Sequence, residues 1–269
     1  MVKKIYNKII KYTIKIMNEA AISKFKPKLM NLKNHNQLNR CFIIGNGPSL
    51  NSKDLNLLKN NKEFCFGSNR IYHIFSETDW RPDIYCVQDY KLILKSFREI
   101  SDIDAGKKII AIVPELKYPP IYGDFLRIKL ECEDFYPNTP RFSNDITDKI
   151  YEGFTVTYMC IQIAIYMGFK EIVLLGVDHS YGTELKPDGT VIKNSITKDH
   201  FSNNDIADNL PALFKSTLAY KAAKVYADTH DIRIINATRG GKLDVFERIT
   251  LEELLEGKNE DSSCGAYET

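Results

Sequence analysis

No stretch of the sequence reaches the roughly 18 consecutive apolar residues that a bilayer-spanning helix needs, and none of its six cysteines forms a C-x-x-C pair. The first absence excludes a helical integral membrane protein. The second argues against a zinc ribbon or a disulfide frame. Cys41, Cys65, Cys86, Cys132, Cys160 and Cys264 sit mostly in apolar surroundings and read as reduced, buried thiols. The N-terminus lacks the unbroken apolar core and small-residue cleavage site of a secretory signal. These absences predict a cytoplasmic chain. No internal repeat is visible, and no nucleic-acid partner is expected.

Acid is scarce at one end only. Residues 1–40 hold ten Lys or Arg and one acid, Glu19, for a net charge of +9; the remainder has 27 basic and 34 acidic residues and carries −7. Within that leader, residues 3–18 place Ile5, Ile9, Tyr12 and Ile16 at helical spacing with lysines between them. Such a basic amphipathic helix either lies on an anionic membrane surface, making the protein peripheral there, or packs on its own domain or a partner. Residues 31–40 read as a linker. The expected organisation is 1–40 helix and linker, 41–256 a nucleotide-binding α/β domain, and 257–269 a loose polar tail. At 43% hydrophobic residues the body is long enough to bury a substantial core.

Short apolar runs alternate with helical patterns along the body. Cys41–Ile44, Phe64–Gly67, Ile84–Val87, Lys108–Val113, Glu171–Leu175 and Ile232–Ile235 read as strands, with helices after residue 50, at 156–167 and at 213–230. Residues 114–150 resist assignment. The polar stretch 182–208, with a turn signal at Pro187-Asp188-Gly189, is too long for a plain connection and reads as a lid-like insertion. This order implies a doubly wound, mostly parallel, Rossmann-like sheet with helices on both faces.

In such a sheet the ligand lies beyond the carboxyl ends of the strands. Gly45-Asn46-Gly47-Pro48-Ser49, Asn69, Gln88-Asp89 and Asp178-His179-Ser180-Tyr181 all fall there. Glycines let the backbone approach a phosphate, and a helix N-terminus offers it free N–H groups; the alternative is a tight turn with no ligand. Asn69 either binds a base, ribose or phosphate or caps a helix. Asp89 and Asp178 either hold Mg²⁺ or a ribose hydroxyl or serve as caps. His179 and His200 are the candidate general bases, the alternative for each being a solvated loop histidine. Tyr181 either donates to a phosphate oxygen or packs. Asn236 with Gly240-Gly241 is expected to shape a turn beside the cleft.

The run Phe42-Ile43-Ile44-Gly45-Asn46-Gly47-Pro48-Ser49-Leu50, together with Met167-Gly168-Phe169-Lys170-Glu171-Ile172 through Gly176-Val177-Asp178, resembles bacterial sialyltransferases that use CMP-sialic acid. It is also similar to the broader group of 6-hydroxymethylpterin diphosphokinase-like proteins, and Asn236-Ala237-Thr238-Arg239-Gly240-Gly241 fits that group better. The first resemblance implies a cytidine nucleotide over Asn46, Ser49 and Asn69, Tyr181 near the leaving phosphate, and no metal requirement. It also implies a histidine base near the start of the helix at Leu213. That place reads Leu213-Phe214-Lys215-Ser216, and His200 is the nearest substitute upstream.

The expected function is a glycosyltransferase acting on a nucleotide sugar and a surface glycan. The alternatives are a Mg²⁺-dependent diphosphokinase-like transfer from ATP, with Asp89 and Asp178 on the metal, and a non-catalytic nucleotide-binding module. A homo-oligomer is left open.

Overall fold

A computed structural model of the chain describes residues 2–34, 39–130, 135, 137–193, 200–201 and 211–256. In chain order the elements are α1 (Val2–Met30), β1 (Arg40–Ile44), α2 (Ser52–Asn60), β2 (Phe64–Ser68), β3 (Ile84–Val87), α3 (Tyr90–Asp102), β4 (Lys107–Ile112), β5 (Asp124–Lys129) and β6 (Ile150–Tyr151). They continue with α4 (Val156–Tyr166), β7 (Glu171–Leu175), β8 (Thr183–Leu185), β9 (Val191–Lys193), α5 (Leu213–Asp228), β10 (Arg233–Asn236) and β11 (Glu247–Arg248).

Nine strands form one sheet in the order β11-β10-β7-β1-β2-β3-β4-β5-β6, and every pairing is parallel. The side chains of β1 show why the sheet is covered on both faces. Cys41 and Ile43 join one buried cluster with α4 and α5, whereas Phe42 and Ile44 join the other with α2 and α3. With both alternating sets apolar, neither face tolerates water, and helices pack on each. The fold is therefore the doubly wound α/β class that the strand pattern predicts. Cys41, Cys65, Cys86 and Cys160 are free and buried, and burial pushes the thiols of Cys41, Cys65 and Cys86 up, so they stay protonated and unreactive. Cys132 and Cys264 lie outside the described residues.

Three expectations change. The N-terminal helix does not stop near residue 18 but runs to Met30, and its second half is part of the body. Ile22 and Leu29 are buried, Phe25 meets Phe125 edge-on at 5.2 Å, and Glu19 pairs with Arg127 of β5. Residues 31–34 continue as turns, with Asn34 N–H donating to Tyr166 O at 3.2 Å, while 35–38 lie outside the described residues. The unassigned region 114–150 contributes β5 and, at its end, β6. Within the polar stretch 182–208, β8 and β9 pair as an antiparallel hairpin around Gly189, which has φ +84°; 194–199 and 202–210 lie outside the described residues. So does the tail from Gly257.

Candidate functional site

The chain leaves β1 in one direction through β2 to β6, then returns to the other side of β1 as β7 and continues to β11. The direction reverses between β1 and β7, and in sheets of this class such a switch point forms the ligand crevice at the carboxyl ends. Three segments meet there. Gly45 N–H donates to Leu175 O and Gly47 N–H to Gly176 O, both at 2.8 Å. Val177 N–H donates to Thr238 Oγ1 at 3.0 Å, and Lys242 N–H to Asp178 O at 2.8 Å. Asn236 holds the third segment by donating to Leu243 O and accepting from Thr238 N–H. Gly241, at φ +75°, lies where a Cβ would stand 2.8 Å from Asp178 O.

The glycines of the first loop serve this internal packing. A Cβ on Gly45 would fall 2.3 Å from Gly176 O; on Gly47 it would fall 1.8 Å from Asp178 Oδ2. Neither has a positive φ. Asp178 is buried, and its Oδ2 accepts from Ser49 Oγ at 2.7 Å, with Ser49 N–H at 3.4 Å. Burial raises the Asp178 pKa and the Ser49 contacts oppose the rise. The N–H groups of Gly45, Gly47 and Ser49 thus face protein acceptors, Pro48 has none, and a carboxylate already stands where a phosphate was expected. The loop forms the wall of the crevice rather than three free donors for an anion.

Asn46, Asn69 and Gln88, at the ends of the adjacent strands β1, β2 and β3, behave differently. Among the described residues, none of the three buried amide oxygens has a hydrogen-bond donor. Asn46 is oriented by its own NH₂ group, which donates to Ser68 O at 3.0 Å. Asn69 sits at φ +50°, with its carbonyl accepting from Tyr85 OH at 2.6 Å and its N–H donating to Cys86 O. Asp89, next to Gln88, caps α3: its Oδ1 accepts from Lys91 N–H and Leu92 N–H. Asp89 and Asp178 follow β3 and β7, three strand spacings apart, so they stand on the order of 14 Å from each other. One Mg²⁺ cannot bridge them, and among the described residues no cluster of three or more His, Cys, Asp or Glu has metal-binding geometry.

His179 has φ +51°, and its Nε2 lies 2.8 Å from Thr217 Oγ1. Thr217 donates its only hydroxyl proton to Leu213 O at 2.8 Å. It can therefore only accept from the imidazole. In that arrangement the proton sits on Nε2 and the lone pair on Nδ1. The ring stands edge-on to the buried Tyr220 at 5.5 Å, and desolvation lowers its pKa to about 4, against a smaller upward pull from Glu184 and Asp244. The imidazole is neutral at pH 7. It stands at the start of α5, where the family resemblance expected a histidine from the helix itself. Thr217 was not singled out in the sequence. Tyr181 and His200 face each other with ring centroids 6.2 Å apart, and Phe201 N–H donates to Asn46 O at 3.1 Å. These contacts bring residues 200–201 of the insertion to the first loop.

The fold is that of a doubly wound α/β protein, and the carboxyl ends of β7, β1, β2 and β3 are its candidate ligand end. The chain belongs to the 6-hydroxymethylpterin diphosphokinase MptE-like family, whose model matches residues 15–184. A solved structure, the MAf glycosyltransferase from Magnetospirillum magneticum AMB-1, has the same fold with a TM-score of 0.50 at 14% identity, covering 91% of this chain. The chain spans 41% of that protein's length. No curated protein matches the sequence.

Proposed function

We propose that the chain is a glycosyltransferase that takes a sugar from a nucleotide donor, a CMP-activated acidic sugar, to a surface glycan. The observation that carries the reading is the row of unpaired amide oxygens on Asn46, Asn69 and Gln88. Buried acceptors call for N–H or O–H donors. A phosphate at neutral pH has few to give, whereas a nucleoside has ribose hydroxyls and, in cytosine, an exocyclic amine. The row thus suits the base and ribose, which leaves the phosphate toward Tyr181.

His179 is the base in this reading. Its Nδ1 removes the proton from the acceptor hydroxyl, whose oxygen forms the new bond to the anomeric carbon. The bond from that carbon to the phosphate oxygen breaks, and the electron pair leaves with the nucleotide. Tyr181 donates a hydrogen bond to the charge that builds there. Gly45, Gly47, Pro48, Ser49 and Asp178 hold the wall against which the donor lies. No step uses a metal. His200, beside Tyr181, covers the donor.

The second reading, Mg²⁺-dependent diphosphoryl transfer from ATP, is favoured by the family to which the chain belongs. Calorimetric titration with CMP, CDP, UDP, GDP and ATP, each with and without Mg²⁺, separates the two. The first reading expects binding of the cytidine nucleotides without metal, lost in Asn46→Ala. Binding of ATP alone, and only with Mg²⁺, would replace it with the second. Binding without any transfer activity would leave a nucleotide-binding module.

A further inference from the structure

The two halves of α1 have different surroundings. From residue 18 on, side chains fasten the helix to the body: Asn18 donates to Pro114 O and Leu116 O at 2.8 Å, and Lys28 reaches Asp124. Because residue 28 meets the start of β5 while residue 18 meets the segment just after β4, the helix runs antiparallel to the strands. Its first half therefore projects beyond the carboxyl ends of the sheet, the end that holds the crevice. Every residue from 5 to 13 is exposed.

That projecting half is apolar on its outer side. Ile5, Tyr6, Ile9, Tyr12, Ile16 and Met17 are between 51% and 66% exposed. At 3.6 residues per turn, with Ile10 they cover an arc of about 160°, centred opposite the stripe of Asn18, Ile22 and Leu29 that meets the body. Lys8 and Lys15 lie between the two on one flank, with Lys15 also paired to Glu115 at 2.7 Å, and Lys11 lies in line with the body-facing stripe on the exposed first half of the helix. A contiguous apolar face of this kind marks an interaction surface.

We propose that residues 5–17 dock in the plane of an anionic bilayer and hold the mouth of the crevice at its surface. Charge decides between occupants. Residues 5–17 contain three lysines and no acid; a second copy would add three more, whereas anionic headgroups neutralise them. The family match begins at residue 15, so most of this face lies outside the shared body. No described helix is long and apolar enough to cross a membrane, so the helix lies in the surface.

The test is flotation of the full chain with vesicles of phosphatidylglycerol and phosphatidylcholine in equal parts, or of phosphatidylcholine alone. The chain should float with the anionic vesicles and be released by salt. Ile9→Asp/Ile16→Asp should reduce binding by at least ~10-fold, and Lys8→Gln/Lys11→Gln should reduce it severalfold, because apolar burial and lysine attraction act together. Both variants should keep the wild-type circular dichroism and melting temperature, since these side chains do not enter the core. Failure of the wild type to float, or equal flotation of the aspartate variant, would overturn the proposal. A lipid-free dimer in sedimentation that the aspartate variant converts to monomer would assign the face to a second copy instead. None of these outcomes depends on the nucleotide reading.

Discussion

A buried amide oxygen without a donor costs a folded protein about 1–3 kcal/mol, and Asn46, Asn69 and Gln88 each carry one. Removing such a group should leave stability intact while weakening the ligand. Gln88→Met keeps the shape of the side chain and discards the acceptor. We expect an unchanged or higher midpoint in urea and a loss of nucleotide affinity of about 10-fold by calorimetry. Asn69→Gly should behave alike, because glycine accepts the positive φ at that position. A Gln88→Met protein with lower stability and full affinity would show that the oxygen serves the fold. His179 offers a second test. Its folded pKa, about 4, lies below the ordinary 6.5, so the unfolded chain binds more protons between these values. Stability must fall as pH drops from 6.5 toward 4, by at most roughly 3 kcal/mol and less to the extent that solvent reaches the ring. Paired denaturation curves at pH 7 and 4.5 should show a smaller loss in His179→Gln than in wild type. Asn46, Asn69 and Gln88 were legible as polar residues at strand ends. Thr217 was not, since a threonine within a helix carries no signal until β7 and α5 meet.

Among the elements, β1, β2, β3, β4, β7 and β10 and the helices α2, α4 and α5 were legible in the sequence, whereas α3, capped by Asp89, was not. β1, β3 and β7 are continuous apolar runs because helices cover both their faces. β5 is not: its burial alternates along Asp124–Lys129, and Asp124, Arg127 and Lys129 break the apolar run. The second half of α1 was hidden for a related reason. Lys24, Lys26 and Lys28 surround Pro27, which normally ends a helix, yet Ile22, Phe25 and Leu29 keep one stripe against the body. Leu29, 1% exposed, should cost about 2–5 kcal/mol when changed to alanine. Removing residues 1–13 should cost almost nothing, whereas removing 1–30 should destabilise the whole domain; thermal melts of the three proteins check this. The loop after β1 makes a comparable demand. Gly47→Ala puts a methyl group 1.8 Å from Asp178 Oδ2 and close to Gly176 O, so it should destabilise by ~3 kcal/mol or more. Asp178→Ala in the same chain should recover only part of that, because the Gly176 carbonyl remains.

On the scale of the whole molecule, the crevice is assembled from residues far apart in the chain: loops near 46, 178 and 238, and residues 200–201 of the insertion. The described parts of the insertion are tied at two points to residues outside it. Leu185 N–H donates to Pro211 O at 2.9 Å, and Phe201 N–H donates to Asn46 O at 3.1 Å. Asn46 is thus shared, its backbone oxygen by the insertion and its unpaired side-chain oxygen by the proposed ligand. A nucleotide that fixes Asn46 should tighten its hold on the insertion. Lys193, exposed on β9, offers trypsin a site within that segment. Cleavage there should slow by roughly 10-fold when nucleotide is bound, as for a segment that closes over its ligand. His200→Ala should abolish most of this protection and lower turnover, because it removes the ring that faces Tyr181. It should leave the imidazole of His179 and its pH dependence in place. A His200→Ala protein that loses the pH dependence of turnover would instead make His200 the base and reduce His179 to a residue that positions the loop.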